Sequence, residues 1–112
     1  MAGDLRLPPP DKVFTVEAGK GRAYARLAYW FEPLHWTLTD IFVPYGQQGN
    51  GIGSQLLRMV VNHADEEGLD ICLSVQPEGG LSYEKLVEWY ARYGFIWEDG
   101  IMKRYHIKQE IA

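Results

Sequence analysis

Seven consecutive residues, Gln48-Gly49-Asn50-Gly51-Ile52-Gly53-Ser54, are the part of this chain whose types and spacing most plainly suggest chemistry. Three glycines at alternate positions let main-chain N–H groups close on a ligand, because no Cβ stands in the way. If a helix begins here, its first-turn N–H groups lack acceptors and carry the positive end of the helix dipole. That combination suits a phosphate or pyrophosphate. The plainer alternative is that the glycines only make a tight strand-to-helix turn.

The flanking residues supply the strand and the helix. Before the loop, residues 36–43 contain Leu38, Ile41, Phe42 and Val43 among β-branched neighbours, which predicts a strand. After it, Ile52, Leu56, Leu57, Val60, Val61 and Ala64 recur at three- and four-residue steps. This spacing predicts an amphipathic helix over about 53–67, ended by Gly68. A nucleoside-triphosphate P-loop is excluded, since no lysine occurs between Lys20 and Lys85. A two-half dinucleotide fold needs a longer chain.

Other reactive residue types are sparse. His35, His63 and His106 fall on separate elements with no Cys, His or Asp at ligand spacing, so no metal site is expected. Cys72 stands alone in the apolar run 70–75, where a small buried hydrophobe is expected and no disulfide within the chain can form.

The chain has 112 residues, 46% hydrophobic and 23% charged, which predicts a single folded domain rather than disorder. A net charge of −4 argues against broad nucleic-acid binding and leaves room for a basic partner. No run approaches a transmembrane length, and residues near Met1 lack a signal-peptide core, so a cytoplasmic location is expected.

Taken in order, residues 1–11 with Pro8-Pro9-Pro10 read as a flexible tail, and 12–112 as one domain. Alternation predicts strands over 12–18, 22–31 and 36–43, joined as an antiparallel meander. A continuous apolar strand over 69–75 follows the helix, giving a βαβ unit with a parallel pairing. Ser82 would cap a second helix running to Tyr93. A closing hairpin over 95–107 would turn at Asp99-Gly100.

This order, strand-strand-strand-loop-helix-strand-helix-strand-strand, resembles the GCN5-related N-acetyltransferases, the GNAT family. Gln48-x-x-Gly51-x-Gly53 is similar to the family's Gln/Arg-x-x-Gly-x-Gly/Ala signature, and Trp89-Tyr90-Ala91-Arg92-Tyr93-Gly94-Phe95 is similar to the block ending its last helix. The resemblance covers about residues 36–107. It implies a mixed, mostly antiparallel α/β (α+β) fold built on the central βαβ unit.

The resemblance also implies roles. Acetyl-CoA would lie between the third and fourth strands, held by Ile41, Phe42 and Val43 and by Gln48, Gly49, Asn50, Gly51, Ile52, Gly53 and Ser54. An acceptor amine would attack the thioester directly, and Tyr90 matches the family's acid for the departing thiolate; on its residues alone, Tyr90 reads first as a core aromatic on a helix face. Asp40 is the first candidate for the base and Glu32 the second, each also readable as a solvated strand charge.

Three departures stand out. The two helices that family members place after their first strand are missing, because only Gly19-Lys20-Gly21 lies between residues 18 and 22. An open side suits a bulky acceptor such as a protein lysine, or it marks lost catalysis. Ser82 and Tyr83 occupy the region where an Asn is common, and Gln48 stands for the commoner Arg. Within the family, the run 51–56 and the compact build are also similar to the short phage-borne anti-CRISPR acetyltransferases that modify a lysine of a nuclease. A competing class remains open: four Trp and seven Tyr could fill the core or make an interface, a homodimer included, and the same fold could serve as a CoA-holding binding module.

Overall fold

The computed structural model describes residues 9–31, 34–77 and 81–108. Most of the expected tail, and Glu32, lie outside the described residues. Eight elements follow one another: β1 (Lys12–Ala18), β2 (Gly21–Phe31), β3 (Leu34–Phe42), α1 (Ile52–Glu67), β4 (Ile71–Leu73), α2 (Tyr83–Ala91), β5 (Ile96–Glu98) and β6 (Ile101–Arg104). The strands form one sheet in the order β1-β2-β3-β4-β6-β5. β1, β2 and β3 pair antiparallel, and β3 pairs parallel with β4 across α1. The result is the mixed α+β architecture that the order of elements implies, with the helices missing between β1 and β2.

Alternation sets the core. Ala23, Ala25 and Leu27 on β2 are fully buried, and the apolar stripe of α1 packs over this face through Leu56, Leu57, Val60 and Ala64, none of which is exposed. Burying each of the larger side chains contributes about 1.5–3 kcal/mol. α1 ends as Gly68 predicts: Gly68 adopts φ 68° and the Leu69 N–H reaches back to the Ala64 carbonyl at 2.7 Å, closing a Schellman turn.

β3 carries a bulge. Arg26 pairs with Asp40 but Leu27 pairs with Leu38, so Thr39 is the extra residue. The bulge changes the strand's parity. Trp36 and Leu38 face the core before it, while Ile41 and Val43 pack against the core after it and Phe42 is turned outward.

β4 is shorter than the apolar run 69–75 suggests. Its ladder with β3 consists of Trp36 with Ile71 and Thr37 with Cys72, after which the two strands diverge. Leu69 is committed to the α1 turn, and Val75 is buried without a place in the ladder. β6, not β5, lies beside β4. The reason is in the side chains: β6 points Met102 and Arg104 inward, both nearly fully buried, whereas Ile96 and Trp97 on β5 are half exposed. The closing hairpin turns at Asp99 and Gly100, both at positive φ. β6 also stops early, since the N–H groups of His106 and Ile107 go to the carboxylates of Asp70 and Asp65 at 2.9 and 2.8 Å instead of a strand.

Candidate active site

The divergence of β3 and β4 opens the sheet. Beyond Thr37 the β4-facing edge of β3 has no ladder partner, and a cleft of about 940 Å³ lies between the end of that strand, the glycine loop and α2. Ile41, Phe42 and Val43 form one wall. Such an edge offers main-chain groups to an extended ligand as a further strand would.

The loop forms the second wall. Gly51 is the N-cap of α1 at φ 78°, a left-handed conformation that costs glycine nothing, and no side chain caps the helix. The first-turn bond runs from the Gln55 N–H to the Gly51 carbonyl at 3.0 Å, so the amides of Ile52, Gly53 and Ser54 have no intrahelical acceptor. No acidic residue occupies this turn, which leaves the positive dipole end uncompensated. Gln48, Gly49, Gly51, Ile52, Gly53 and Ser54 all line the cleft. Asn50 is exposed and lies outside that lining, whereas Gln47, which the motif does not single out, is part of it. The Gln48 amide donates to the Val43 carbonyl at 3.4 Å, tying the loop to the strand end.

α2 closes the third side. Ser82 caps it by accepting the Lys85 N–H at 3.2 Å. Trp89 faces the cleft with its indole N–H on the Ser54 hydroxyl at 2.9 Å. Its ring covers Gly53, where an added Cβ would sit 3.6 Å from the indole. Lys85 and Arg92 lie on the same helical face and bring positive charge to the wall, with Glu88 between them. The 85-89-92 spacing is the signal that reveals these residues once α2 is accepted as a cleft wall.

Tyr90 stands at a junction. It lines the cleft, and with Ile41 and Leu86 it also lines a recess of about 60 Å³ between β3 and the segment that follows β4. Its ring packs against Trp89 and Phe95, with centroids 4.9 and 5.6 Å away. Asp40 lies in the recess with Ser74 and Gln76 and does not reach the cleft lining. Its carboxylate takes the Thr39 hydroxyl at 3.0 Å and the Arg26 guanidinium at 3.6 Å, and remains 42% exposed. Tyr90 and Asp40 therefore share one small recess, while Tyr90 alone of the two also faces the cleft. Among the described residues no group of three His, Cys, Asp or Glu could hold a metal ion, and no helix is long and apolar enough to cross a membrane.

The end of α2 is held from beneath by a residue that sequence reasoning missed. Arg104, 4% exposed on β6, donates its Nε–H to the Tyr93 carbonyl at 2.7 Å and both terminal nitrogens to Asp65 at 2.7 and 3.0 Å. Gly94 lets this happen. It has φ 93°, and a Cβ there would stand 3.1 Å from Arg104 Nε. The glycine in the block that ends α2 is thus a packing requirement for the arginine as well as a helix stop. Asp65 is held below the usual carboxylate range, chiefly by the Arg104 hydrogen bonds acting against its burial.

Comparison with known proteins agrees with this geometry. The chain is similar to a solved structure titled as the crystal structure of anti-CRISPR protein AcrVA5, with 28% identity over 81% of this chain and 96% of that one, at a TM-score of 0.59. No curated protein sequence matches it. Residues 9–96 match the family model described as an acetyltransferase (GNAT) domain, and that span holds the meander, the glycine loop, α1 and all of α2. The chain belongs to the GNAT family of N-acetyltransferases.

Proposed function

We propose that the protein transfers acetyl from acetyl-CoA to an amine on a bulky acceptor, a protein lysine foremost. The observation that carries this reading is the cleft where β3 and β4 part, with unpaired helix-start amides at one end and Tyr90 at its boundary with the recess. Acetyl-CoA supplies an activated acetyl thioester. Main-chain groups of Ile41 and Val43 hold the extended pantetheine arm as a neighbouring strand would, with Phe42 between them in the cleft wall. The amides of 52–54 hold the pyrophosphate with the glycine loop and the α1 dipole, and Lys85 and Arg92 add charge from the α2 wall.

The recess receives the acceptor. Its amine attacks the carbonyl carbon, a C–N bond forms, and the C–S bond breaks. Tyr90 gives its phenolic proton to the departing thiolate. Asp40, across the recess, takes the proton lost by the amine, directly or through water. Only a two-residue turn joins β1 and β2, with no helix inserted there, which supports a protein acceptor over a small one. The likeness to an anti-CRISPR protein supports the same choice.

The test is acetyl transfer from acetyl-CoA to lysine-bearing proteins, read by mass spectrometry of the acceptor together with release of free CoA. Acetyl-lysine formation with stoichiometric CoA release is the expected result. A second reading, a module that binds CoA and contacts a partner without turnover, draws on the engagement of Asp40 by Arg26 and Thr39. Tight acetyl-CoA binding with no transfer to any acceptor would favour it.

A further inference from the structure

An indole N–H can donate a hydrogen bond but has no lone pair to accept one, so the 2.9 Å contact between Trp89 Nε1 and Ser54 Oγ runs in one direction. The serine oxygen must accept. Its own O–H is thereby turned away from Trp89, and no other acceptor engages it among the described residues. Ser54 is the third residue of α1, beside the amides that precede the first intrahelical bond, and both side chains line the cleft. A hydroxyl held in this way presents a donor to the same place as those amides.

The position of the indole is itself constrained. The ring lies close enough to Gly53 that an added Cβ would be in van der Waals contact with it, and Tyr90 and Tyr93 pack beside it with centroids at 4.9 and 6.2 Å. Trp89 is therefore a fixed donor, not a mobile surface group.

Resting on the acetyl-CoA reading above, we infer that Trp89 is a positioning residue for the pyrophosphate of the donor: it orients the Ser54 hydroxyl so that its proton joins the helix-start amides on a phosphate oxygen. The same bond joins α2, which carries Tyr90, to the start of α1, so pyrophosphate binding and the placement of the acid share one contact.

Calorimetric titration of the whole protein with acetyl-CoA, and with acetyl-pantetheine, which lacks phosphate, tests this. Trp89→Phe removes the N–H and keeps an aromatic ring on α2, but loses the outer-ring atoms nearest Gly53; Ser54→Ala removes the hydroxyl and leaves Trp89 in place. Each is expected to weaken acetyl-CoA about tenfold, the scale of one hydrogen bond to a charged group, and to leave acetyl-pantetheine unchanged. The double variant is expected to be no weaker than Ser54→Ala, because the two side chains act through one hydroxyl. Equal weakening of both ligands by Trp89→Phe would reduce Trp89 to ring packing and overturn the inference. So would Ser54→Ala binding acetyl-CoA like the wild type, a result that does not depend on how the tryptophan variant folds. Wild-type protein that fails to bind acetyl-CoA would overturn the donor reading itself, and this inference with it.

Discussion

Arg104 and Asp65 meet through two hydrogen bonds of 2.7 and 3.0 Å, from the innermost strand of the closing hairpin to the last turn of α1. The same guanidinium holds the Tyr93 carbonyl, so one buried side chain fixes α1, α2 and the sheet together. The position of Tyr90 depends on it, three residues before that carbonyl.

Arg104→Ala would leave a mostly buried Asp65 without its counter-ion and the Tyr93 carbonyl without its donor. Breaking such a pair from one side costs about 3–5 kcal/mol, a large share of the total stability of a domain of this size. Urea unfolding should show the loss as a lower midpoint. An apolar replacement of similar length, Arg104→Met with Asp65→Leu, should cost less than Arg104→Ala alone.

Gly94→Ala should destabilise by about 1–2 kcal/mol from its positive φ alone, and more if Arg104 cannot withdraw from the 3.1 Å contact. Thermal melts check this. The Gly94→Ala and Arg104→Ala effects should not add, because both act on one contact.

Acid should unfold the protein through two carboxylates. The hydrogen bonds of Arg104 dominate in holding Asp65 below the usual carboxylate range. For Asp70, burial pushes upward but the main-chain and ring hydrogen bonds from His106 prevail and lower it. A carboxyl lowered in the folded state contributes stability that is present above its unfolded value and lost as pH falls through its folded value. The melting temperature should therefore hold above about pH 4 and fall below it. Asp70→Asn should make that acid limb shallower, as melts followed by circular dichroism would show.

Tyr90→Phe should lower turnover by about 100-fold or more, the usual scale for a general acid, with acetyl-CoA affinity little changed. Steady-state rates and calorimetry separate the two. An unchanged rate would remove Tyr90 from proton transfer and leave it as a packing aromatic between Trp89 and Phe95.

Local pattern carried most of the fold. The alternation of β2, the stripe of α1, the Ser82 cap and the Gly68 turn all depend on neighbours in sequence, and each element formed near its expected bounds. What the pattern could not hold was long-range. The bulge at Thr39 depends on the β2 partner, and β4 stops at Leu73 because β3 moves away from it. The inner place of β6 depends on what Arg104 can reach.

The site divides in the same way. The glycine loop announced itself through three glycines and the helix after them. Trp89 and Ser54 are 35 residues apart, and nothing in either neighbourhood says that one would hold the other. Its place on the third strand makes Asp40 the first candidate for the base. The structure gives it to the recess, with Leu38, Thr39 and Ile41, while the cleft lining on this strand begins at Ile41 and runs on through Phe42 and Val43.

The most direct test of the account is the thermal melt of the protein with and without acetyl-CoA. A ligand at one hundred times its dissociation constant stabilises by about 2.7 kcal/mol, which should raise the melting temperature of a domain this size by on the order of ten degrees. The account predicts that rise, and a smaller one for acetyl-pantetheine, which cannot use the helix-start amides. No shift at millimolar acetyl-CoA would contradict it.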